Sequence, residues 1–140
     1  MKYWLFLTNK ENWELIKKFN IYAILKSNKN IANTISLGDK CILYVIPMQF
    51  GGAFKIISIN LKNKVSFPNE TMYDRQIRLS PELIPKNTLE VTKYNKKKII
   101  EHISIFKGKN RWGTVLMGRS IIQITKEDYN FILDEMRSHV

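Results

Sequence analysis

The chain has 140 residues, the length of one ordinary domain with a real hydrophobic core. Its 44% hydrophobic and 11% aromatic content argues against disorder, and it has no run of about eighteen apolar residues that would predict a membrane span. The formal net charge of +11, from 23 basic and 12 acidic residues, favours a polyanionic partner, above all nucleic acid. Because lysine, asparagine and isoleucine are all abundant while arginine is scarce, compositional drift across a genome is an alternative explanation of that charge.

The single cysteine limits the possible disulfide and metal chemistry and indicates the redox state of the compartment. Cys41 stands alone, so we expect no internal disulfide and no multi-cysteine metal site. It lies in the apolar run "KCILYVI" and is interpreted as a small buried hydrophobe. The start of the chain has a short apolar run, an early helix signal and no small-residue cleavage site. These features predict a reducing, cytoplasmic location and no signal peptide.

The first third of the chain predicts a strand, a helix and an irregular segment. Lys2–Thr8 is rich in aromatic and large apolar residues, as a buried strand is. Thr8 and Glu11 have capping-box spacing, so the first helix is expected to begin with Thr8 as its cap. The segment 20–35 has no clear period and is interpreted as a mixture of turn and short helix. The apolar stripe of the first helix is expected to be Trp13, Ile16 and Phe19.

Two glycine signals mark the central part of the chain. Gly38 and Asp39 predict a turn that leads into a strand. Gly51 and Gly52 stand between two apolar runs, where a double glycine indicates a bend, a bulge or the close approach of another group to the backbone. In the strand that follows, one face is expected to carry Phe54, Ile56 and Ser58, and the other Lys55, Ile57 and Ile59.

The remainder predicts further strands and a closing helix. Strands are expected around Arg75–Leu79, Thr88–Tyr94 and Ile121–Thr125, whereas Lys96–Phe106 is ambiguous between helix and strand. Thr125 is expected to cap the last helix. The stripe that this helix buries is predicted to be Tyr129, Ile132, Leu133 and Met136. Short strands of mixed spacing with few helices predict an α+β domain with a curved or closed sheet, and not an alternating βαβ fold.

Signatures of catalysis are missing from the sequence. It has no phosphate loop, no dinucleotide fingerprint and no nucleophile elbow. His102 and His139 stand alone, and no grouping of histidine and carboxylate residues has metal-ligand spacing. The acidic residues are scattered or lie at helix starts, so no pair is placed for acid–base work. We therefore expect no enzymatic activity, no metal and no cofactor.

Aromatic side chains beside amides, glycines and arginines are the remaining functional signal. Asn9 lies one turn before Trp13 at a strand-to-helix junction, Tyr22 lies in the irregular segment, and phenylalanines flank Gly51-Gly52. The stretch "NRWGTVLMGRS" adds a tryptophan and two of the chain's five arginines. Flat rings stack on bases, and amides read base edges. Each aromatic residue taken singly is also consistent with a packed core.

Four stretches together resemble the EVE domain: "YWLFLTNKENWELIKK", "GDKCILYV", "FGGAFKIIS" and "NRWGTVLMGRSIIQITKEDYNFI". That family belongs to the PUA-like superfamily and is related to YTH domains. The resemblance covers residues 1–140 as a single EVE domain, with the motifs in the expected order. It implies a PUA-like mixed β-barrel of about five or six strands with short flanking helices. It also implies a non-enzymatic pocket that accepts a nucleobase.

The resemblance further implies which residues form the site. Trp13 and Tyr22 would be the stacking walls, with Asn9 at the edge of the base, and Tyr22 stands where many relatives have tryptophan. Phe67 and Tyr73 lie in the loop that supplies a further cage wall in YTH relatives. The complete implied base pocket is Asn9, Trp13, Tyr22, Ala23, Gly51, Gly52, Phe54 and Trp112. The residues implied to hold phosphates or to support the pocket are Lys107, Lys109, Arg111 and Arg119.

Three functions remain open at this point. The first is a monomeric domain that binds RNA or DNA and holds one flipped or exposed base, with or without a modification. The second is a generic PUA-type module that reads tRNA or rRNA by shape and has no preference for a modification. The third is an adaptor domain whose pocket holds a small metabolite or no ligand. No membrane partner is expected.

Overall fold

The computed structural model describes residues 1–46, 49–61, 65–68, 72–86, 88–90 and 120–138. Within these ranges the strands are β1 Tyr3–Thr8, β2 Ile21–Leu25, β3 Lys40–Val45, β4 Gln49–Ser58, β5 Tyr73–Leu83, β6 Leu89–Glu90 and β7 Ile121–Ile124. The helices are α1 Lys10–Phe19, α2 Lys29–Ala32 and α3 Lys126–Arg137, with a 3-10 turn at Lys26–Asn28. None of these helices combines the length and apolar character needed to cross a membrane.

The strands form one curled, half-barrel sheet. Their order is β2-β5-β4-β3-β1-β7, and β6 pairs with β4 beside this path. Strands β1 and β3 run parallel, whereas the other pairs in the described part of the chain are antiparallel. The predicted α+β class, with a curved sheet and short flanking helices, is therefore confirmed.

Both faces of the sheet are covered, which explains why the central strands are apolar throughout. In β1, Trp4 and Phe6 point to the face that carries α1 and α2, called here the α1 face. Leu5 and Leu7 point to the opposite face, which α3 covers and which is called the α3 face. A strand that is buried on both sides reads as a continuous apolar run without alternation.

Helix α1 begins one residue later than predicted. Asn9 is its N-cap, and the side-chain Oδ1 accepts a hydrogen bond from the main-chain N–H of Asn12 at 2.8 Å. Thr8 is the last residue of β1, so the prediction that Thr8 caps the helix is wrong. Asparagine and threonine are both good N-caps, and the sequence alone does not show where the preceding strand ends.

The segment after α1 contains a strand that the sequence did not predict. Ile21–Leu25 forms β2, which pairs antiparallel with β5, and only the following residues 26–32 are helical. Four of the five side chains of β2 are buried. Because no polar residue alternates with the apolar ones, the period of a half-exposed strand is missing.

The double glycine lies at a bulge in β4, as predicted. Leu43 pairs with Gly52 and Tyr44 pairs with Phe50, which leaves Gly51 without an opposite residue in β3. The predicted alternation after the bulge is also confirmed. Buried side chains there are Phe54 and Ile56, and exposed ones are Lys55 and Ile57.

A buried carboxylate organises the predicted turn before β3. Gly38 adopts a φ of 88°, and Asp39 beside it is 1% exposed. The Asp39 carboxylate accepts hydrogen bonds from Lys2 N at 3.0 Å, from Trp4 Nε1 at 3.1 Å and from Ser36 N at 2.9 Å. Burial by itself would raise the pKa of Asp39, but these hydrogen bonds and the Lys2 ammonium lower it below its ordinary value. The carboxylate thus ties the turn to the start of β1.

The predicted last strand and closing helix are confirmed. Strand β7 pairs antiparallel with β1, and the Thr125 hydroxyl accepts a hydrogen bond from Asp128 N at 3.0 Å at the start of α3. The predicted stripe Tyr129, Ile132, Leu133 and Met136 is buried. Of the predicted strand Thr88–Tyr94, Leu89–Glu90 forms β6, while 91–94 and the ambiguous segment 96–106 lie outside the described residues.

Candidate nucleic-acid interface

A cavity of about 290 Å³ lies on the α1 face, where β1 ends and α1 begins. Three parts of the chain supply most of its lining: the β1–α1 junction, strand β2, and the residues that lead into β5. Ile46 and Ser120 complete it. None of the lining residues in the described part of the chain is charged. The lining therefore combines apolar, aromatic and neutral polar groups.

Tyr22 forms the wall that β2 contributes, and its hydroxyl and one ring face are already engaged by the protein. The hydroxyl donates to Leu7 O at 2.8 Å and lies 3.3 Å from Ser120 O. The ring stacks on Phe6 with centroids 4.6 Å apart and an interplanar angle of 15°. Burial raises the pKa of the Tyr22 phenol far above its ordinary value, so the hydroxyl stays a donor. Tyr22 thus lines the cavity with a ring that is 4% exposed and that has no second stacking partner among the described residues.

Asn9 and Asn12 place two carboxamides on the lining, one helical turn apart. The Asn9 Oδ1 is used by the N-cap bond, so its amino group is what is left to meet a ligand. Asn12 Nδ2 donates to the hydroxyl of Tyr73 at 3.0 Å, whereas Asn12 Oδ1 is buried and has no hydrogen-bond partner among the described residues. A buried acceptor without a partner costs roughly 1–3 kcal/mol. An N–H donor on a ligand would remove that cost.

Phe67 and Tyr73 form a second aromatic wall. Their ring centroids lie 6.0 Å apart at an interplanar angle of 60°, and both residues line the cavity. Phe67 is buried and Tyr73 is half-buried. Ile46 and Met72 also line the cavity and are 50% and 54% exposed, which places apolar side chains where the cavity meets solvent. A flat ligand would thus meet aromatic walls inside and an apolar rim outside.

Trp13 lies in the core beneath α1 and is not on the lining of this cavity. Its indole meets Phe54 edge-on, with centroids 6.2 Å apart at 81°. A Cβ built on Gly51 would lie 2.7–2.9 Å from three indole atoms, and one built on Gly52 would lie 2.9 Å from Leu83 O. The glycines therefore make room for the protein's own groups. The structure places Trp13, Gly51, Gly52 and Phe54 in the sheet and its core and not on the lining of this cavity, and their role in a base pocket stays a prediction.

Gly51→Ala is expected to lower the free energy of unfolding by about 1–3 kcal/mol, because the new methyl group overlaps the buried indole of Trp13. Urea denaturation of the two proteins measures the difference. Lys55→Ala on the exposed side of the same strand is the control, and its effect should stay within about 0.5 kcal/mol. A Gly51→Ala variant as stable as the wild type would show that the indole does not pack on Gly51 in solution.

Two exposed lysines neighbour lining residues in the sequence, and none of the described lining residues is itself charged. Lys10 follows Asn9 at the start of α1, and Lys26 follows Leu25 at the end of β2; both side chains are exposed. Within the described ranges no group of three His, Cys, Asp or Glu side chains could hold a metal ion. The uncharged, partly aromatic lining suits a neutral, flat group.

Comparison with known proteins identifies the family. The profile of the EVE domain matches residues 2–135. The chain belongs to the EVE domain family. This EVE domain is 26% identical over 146 residues to a UPF0310 protein of Pyrococcus abyssi and 25% identical over 147 residues to one of Pyrococcus horikoshii. Each alignment covers 94% of this chain and 97% of the relative.

The EVE domain shares its fold with YTH domains. It superposes on the Mmi1 YTH domain in complex with RNA with a TM-score of 0.69 at 13% identity, covering 98% of this chain and 78% of the other. The Pho92 YTH domain in complex with m6A gives a TM-score of 0.67 at 12% identity, covering 97% and 83%. At such identities the likeness establishes a common fold.

The structure brings three of the implied pocket residues of this EVE domain together on one cavity: Asn9, Tyr22 and Ala23. Five other residues of the implied site lie outside the described residues: Trp112, Lys107, Lys109, Arg111 and Arg119. His102 and His139 lie outside them as well. The sequence reasoning missed Asn12. Its spacing of three residues from Asn9 was visible in the sequence, because such residues are neighbours on a helix surface, but its hydrogen bond to Tyr73 was not.

Proposed function

We propose that this EVE domain binds RNA and holds one exposed base in the cavity at the β1–α1 junction, without catalysing a reaction. The observation that carries the proposal is a lining that combines aromatic rings with the side chain of Asn12, whose buried Oδ1 has no hydrogen-bond partner among the described residues. A nucleobase is flat and has N–H donors and acceptors along its edge. A lining of aromatic rings and carboxamides is therefore complementary to a base.

The size and polarity of the cavity fit a base better than a whole nucleotide. Its volume of about 290 Å³ lies at the lower end of ligand pockets, which span roughly 300–1,000 Å³. A phosphate group inside would meet no cationic side chain, because none of the described lining residues is charged. The base would enter, and the sugar–phosphate backbone would stay at the rim beside Ile46, Met72 and Lys10.

The energies are sufficient for an unpaired base. Removing a base from its stack costs a few kcal/mol, and least when the base is unpaired. Each stacking wall returns roughly 1–3 kcal/mol, and Tyr22 together with the Phe67–Tyr73 wall supplies two. A methyl group on the base would add about 0.8 kcal/mol by burial. Strong selectivity for a modified base therefore requires that Asn12 or the shape of the walls also rejects the unmodified one.

The backbone contribution is expected to be electrostatic. A net charge of +11 favours phosphates over the whole surface. Lys10 and Lys26 are exposed and follow the lining residues Asn9 and Leu25 in the sequence. The family resemblance implies four further phosphate contacts, Lys107, Lys109, Arg111 and Arg119. We propose that these residues hold the backbone and bind every sequence alike, while the cavity distinguishes the base.

The structural neighbours support the choice of RNA. The Mmi1 YTH domain was solved in complex with RNA and the Pho92 YTH domain in complex with m6A. Because the present fold matches both, the same kind of partner is the first to test here. DNA of the same sequence belongs in the experiment as a parallel arm.

Asn12→Ala is expected to weaken binding of an RNA oligonucleotide that contains the preferred base by about 3- to 10-fold, because one hydrogen bond to the base edge is lost. Fluorescence anisotropy at fixed salt measures the affinity. The panel contains short single-stranded RNA and DNA whose central position is unmodified, methylated or abasic. Asn12→Ala should leave binding to the abasic oligonucleotide unchanged, since the backbone contacts do not involve Asn12.

Asn130→Ala is the matched control, because Asn130 is an exposed asparagine on α3, on the other face of the sheet. It should bind all oligonucleotides as the wild type does. Equal affinity of the wild type for base-containing and abasic oligonucleotides would refute the base cavity and leave a generic, shape-reading RNA module. No binding of any oligonucleotide at physiological salt would leave the adaptor function.

A further inference from the structure

Gln76 is a buried polar side chain behind the cavity. It lies on β5 directly opposite Ala23 of β2, and it is 5% exposed. Ala23 lines the cavity, whereas Gln76 does not. A buried carboxamide needs partners for its donors and acceptor. The partners that Gln76 has are main-chain groups of the segment that crosses beside β5.

The carboxamide of Gln76 binds both main-chain groups of one residue. Its Oε1 accepts from Val65 N at 2.8 Å, and its Nε2 donates to Val65 O at 2.6 Å. The main-chain carbonyl of Gln76 also accepts from Leu61 N at 3.1 Å. The side chain thus acts as a peptide group would in a strand pair and fixes the segment at Val65 against the sheet.

Phe67 follows Val65 by two residues and depends on this attachment. Its ring is 2% exposed, packs in the core of the α1 face and lines the cavity beside Tyr73. Because Phe67 is only two residues from Val65, which two hydrogen bonds fix in place, the ring of Phe67 has little freedom to shift. Releasing Val65 would therefore move a wall of the cavity without removing any group from its lining.

We infer that Gln76 is a positioning residue that holds Phe67 as a wall of the cavity and so sets how well the cavity distinguishes a base from an empty position. The inference rests on the proposed function, because it assigns the origin of selectivity at that same site. It goes further in one respect: a residue without contact to the ligand controls discrimination, and the backbone-dependent part of the affinity does not depend on it.

Gln76→Met tests this directly, since methionine keeps the length of the side chain and loses both hydrogen bonds to Val65. The affinity ratio between a base-containing and an abasic RNA oligonucleotide should fall about tenfold, the effect of losing one stacking wall. The affinity of the variant for the abasic oligonucleotide should equal that of the wild type. Phe67→Ala should lower the ratio by a similar factor. The double variant should lower it no further, because Gln76 acts through Phe67.

Two controls separate positioning from a general loss of stability. Gln123→Met makes the same substitution at an exposed position on β7 and should leave the ratio unchanged. Leu133→Ala removes a buried side chain of α3 on the α3 face and should lower the melting temperature without changing the ratio, when measured below its transition. A ratio that falls in Leu133→Ala as it does in Gln76→Met would overturn the inference.

The remaining outcomes each decide one question. A wild type that does not distinguish base from abasic site contradicts the proposed function. If the wild type distinguishes the base from the abasic site and the Gln76→Met variant does so equally well, the inference is contradicted and the proposed function is not. Additive losses in the double variant would also overturn it. If Gln76→Met does not fold, amide hydrogen exchange of the wild type decides: Val65 N–H should be as protected as the amides of β5, and exchange at the rate of an open loop would refute the attachment.

Discussion

Asp39→Asn is expected to lower the free energy of unfolding by about 3–5 kcal/mol at pH 7. The carboxylate is 1% exposed and receives N–H donors from Lys2, Trp4 and Ser36. An asparagine in its place would turn an amino group toward one of these donors and leave at least one of them unpaired. Urea denaturation followed by tryptophan fluorescence measures the loss.

The pH dependence of this loss has a definite sign. Because hydrogen bonds hold the folded pKa of Asp39 below its ordinary value, the carboxylate stabilises the fold fully above the unfolded pKa of about 3.9. Its contribution disappears as the pH falls through the folded pKa. The stability difference between wild type and Asp39→Asn should therefore be constant from about pH 8 to pH 5 and shrink below about pH 4. A difference that widens in acid would contradict the assignment.

Asp134→Asn is the matched control for both measurements. Asp134 lies on α3 with its side chain 74% exposed, and its contact with Arg137 is an exposed pair at 3.7 Å. Exposed ion pairs contribute little, so stability should change by no more than about 0.5 kcal/mol at any pH. An equal loss in both variants would show that the effect of Asp39 is one of net charge and not of its buried hydrogen bonds.

Trp13→Ala is expected to lower the free energy of unfolding by about 3–5 kcal/mol, because it removes a buried indole between α1 and β4. The same indole is what makes Gly51→Ala unfavourable. In the Trp13→Ala background the methyl group of Gly51→Ala enters vacated space, so its cost should vanish. The double variant should be more stable than the sum of the single effects by about 1–3 kcal/mol.

Trp13→Phe separates the packing role of this residue from a binding role. A phenylalanine keeps an aromatic ring under α1, and Trp13 is absent from the lining of the cavity. The folded variant should distinguish base-containing from abasic RNA as the wild type does. Loss of that discrimination in a folded Trp13→Phe protein would restore the view that the indole contacts the base.

The fold could be predicted from the sequence to a large extent, because its signals are local. The apolar run of β1, the turn at Gly38-Asp39 and the cap at Thr125 each depend on neighbouring residues, and the structure has all three. Strand β2 was missed because burial on both sides removes the alternation that marks a strand. The boundary between Thr8 and Asn9 was missed because both residues are good caps.

The site was harder to predict because its residues come from distant parts of the chain. Trp13 looked like a stacking wall next to glycines, but whether an indole packs on its own backbone or on a ligand depends on the three-dimensional approach of Gly51. The placement of the Asn12 side chain depends on its hydrogen bond to the hydroxyl of Tyr73, which lies 61 positions further along the chain. Gln76 carried no signal at all, since a lone glutamine in a strand does not indicate which main-chain groups it will bind.

The hydrogen bonds of the Tyr22 hydroxyl bear on the order in which the contacts of the folded protein form. It joins carbonyls of Leu7 and Ser120, the second of which lies 98 positions away, and β1 completes its pairing only with β7. Contacts between such distant residues form late, because a long loop must close first. The ribosome also delivers the N-terminal strands well before β7. The lining of the cavity is therefore complete only after Ser120 has been synthesised, long after the residues of β1, α1 and β2.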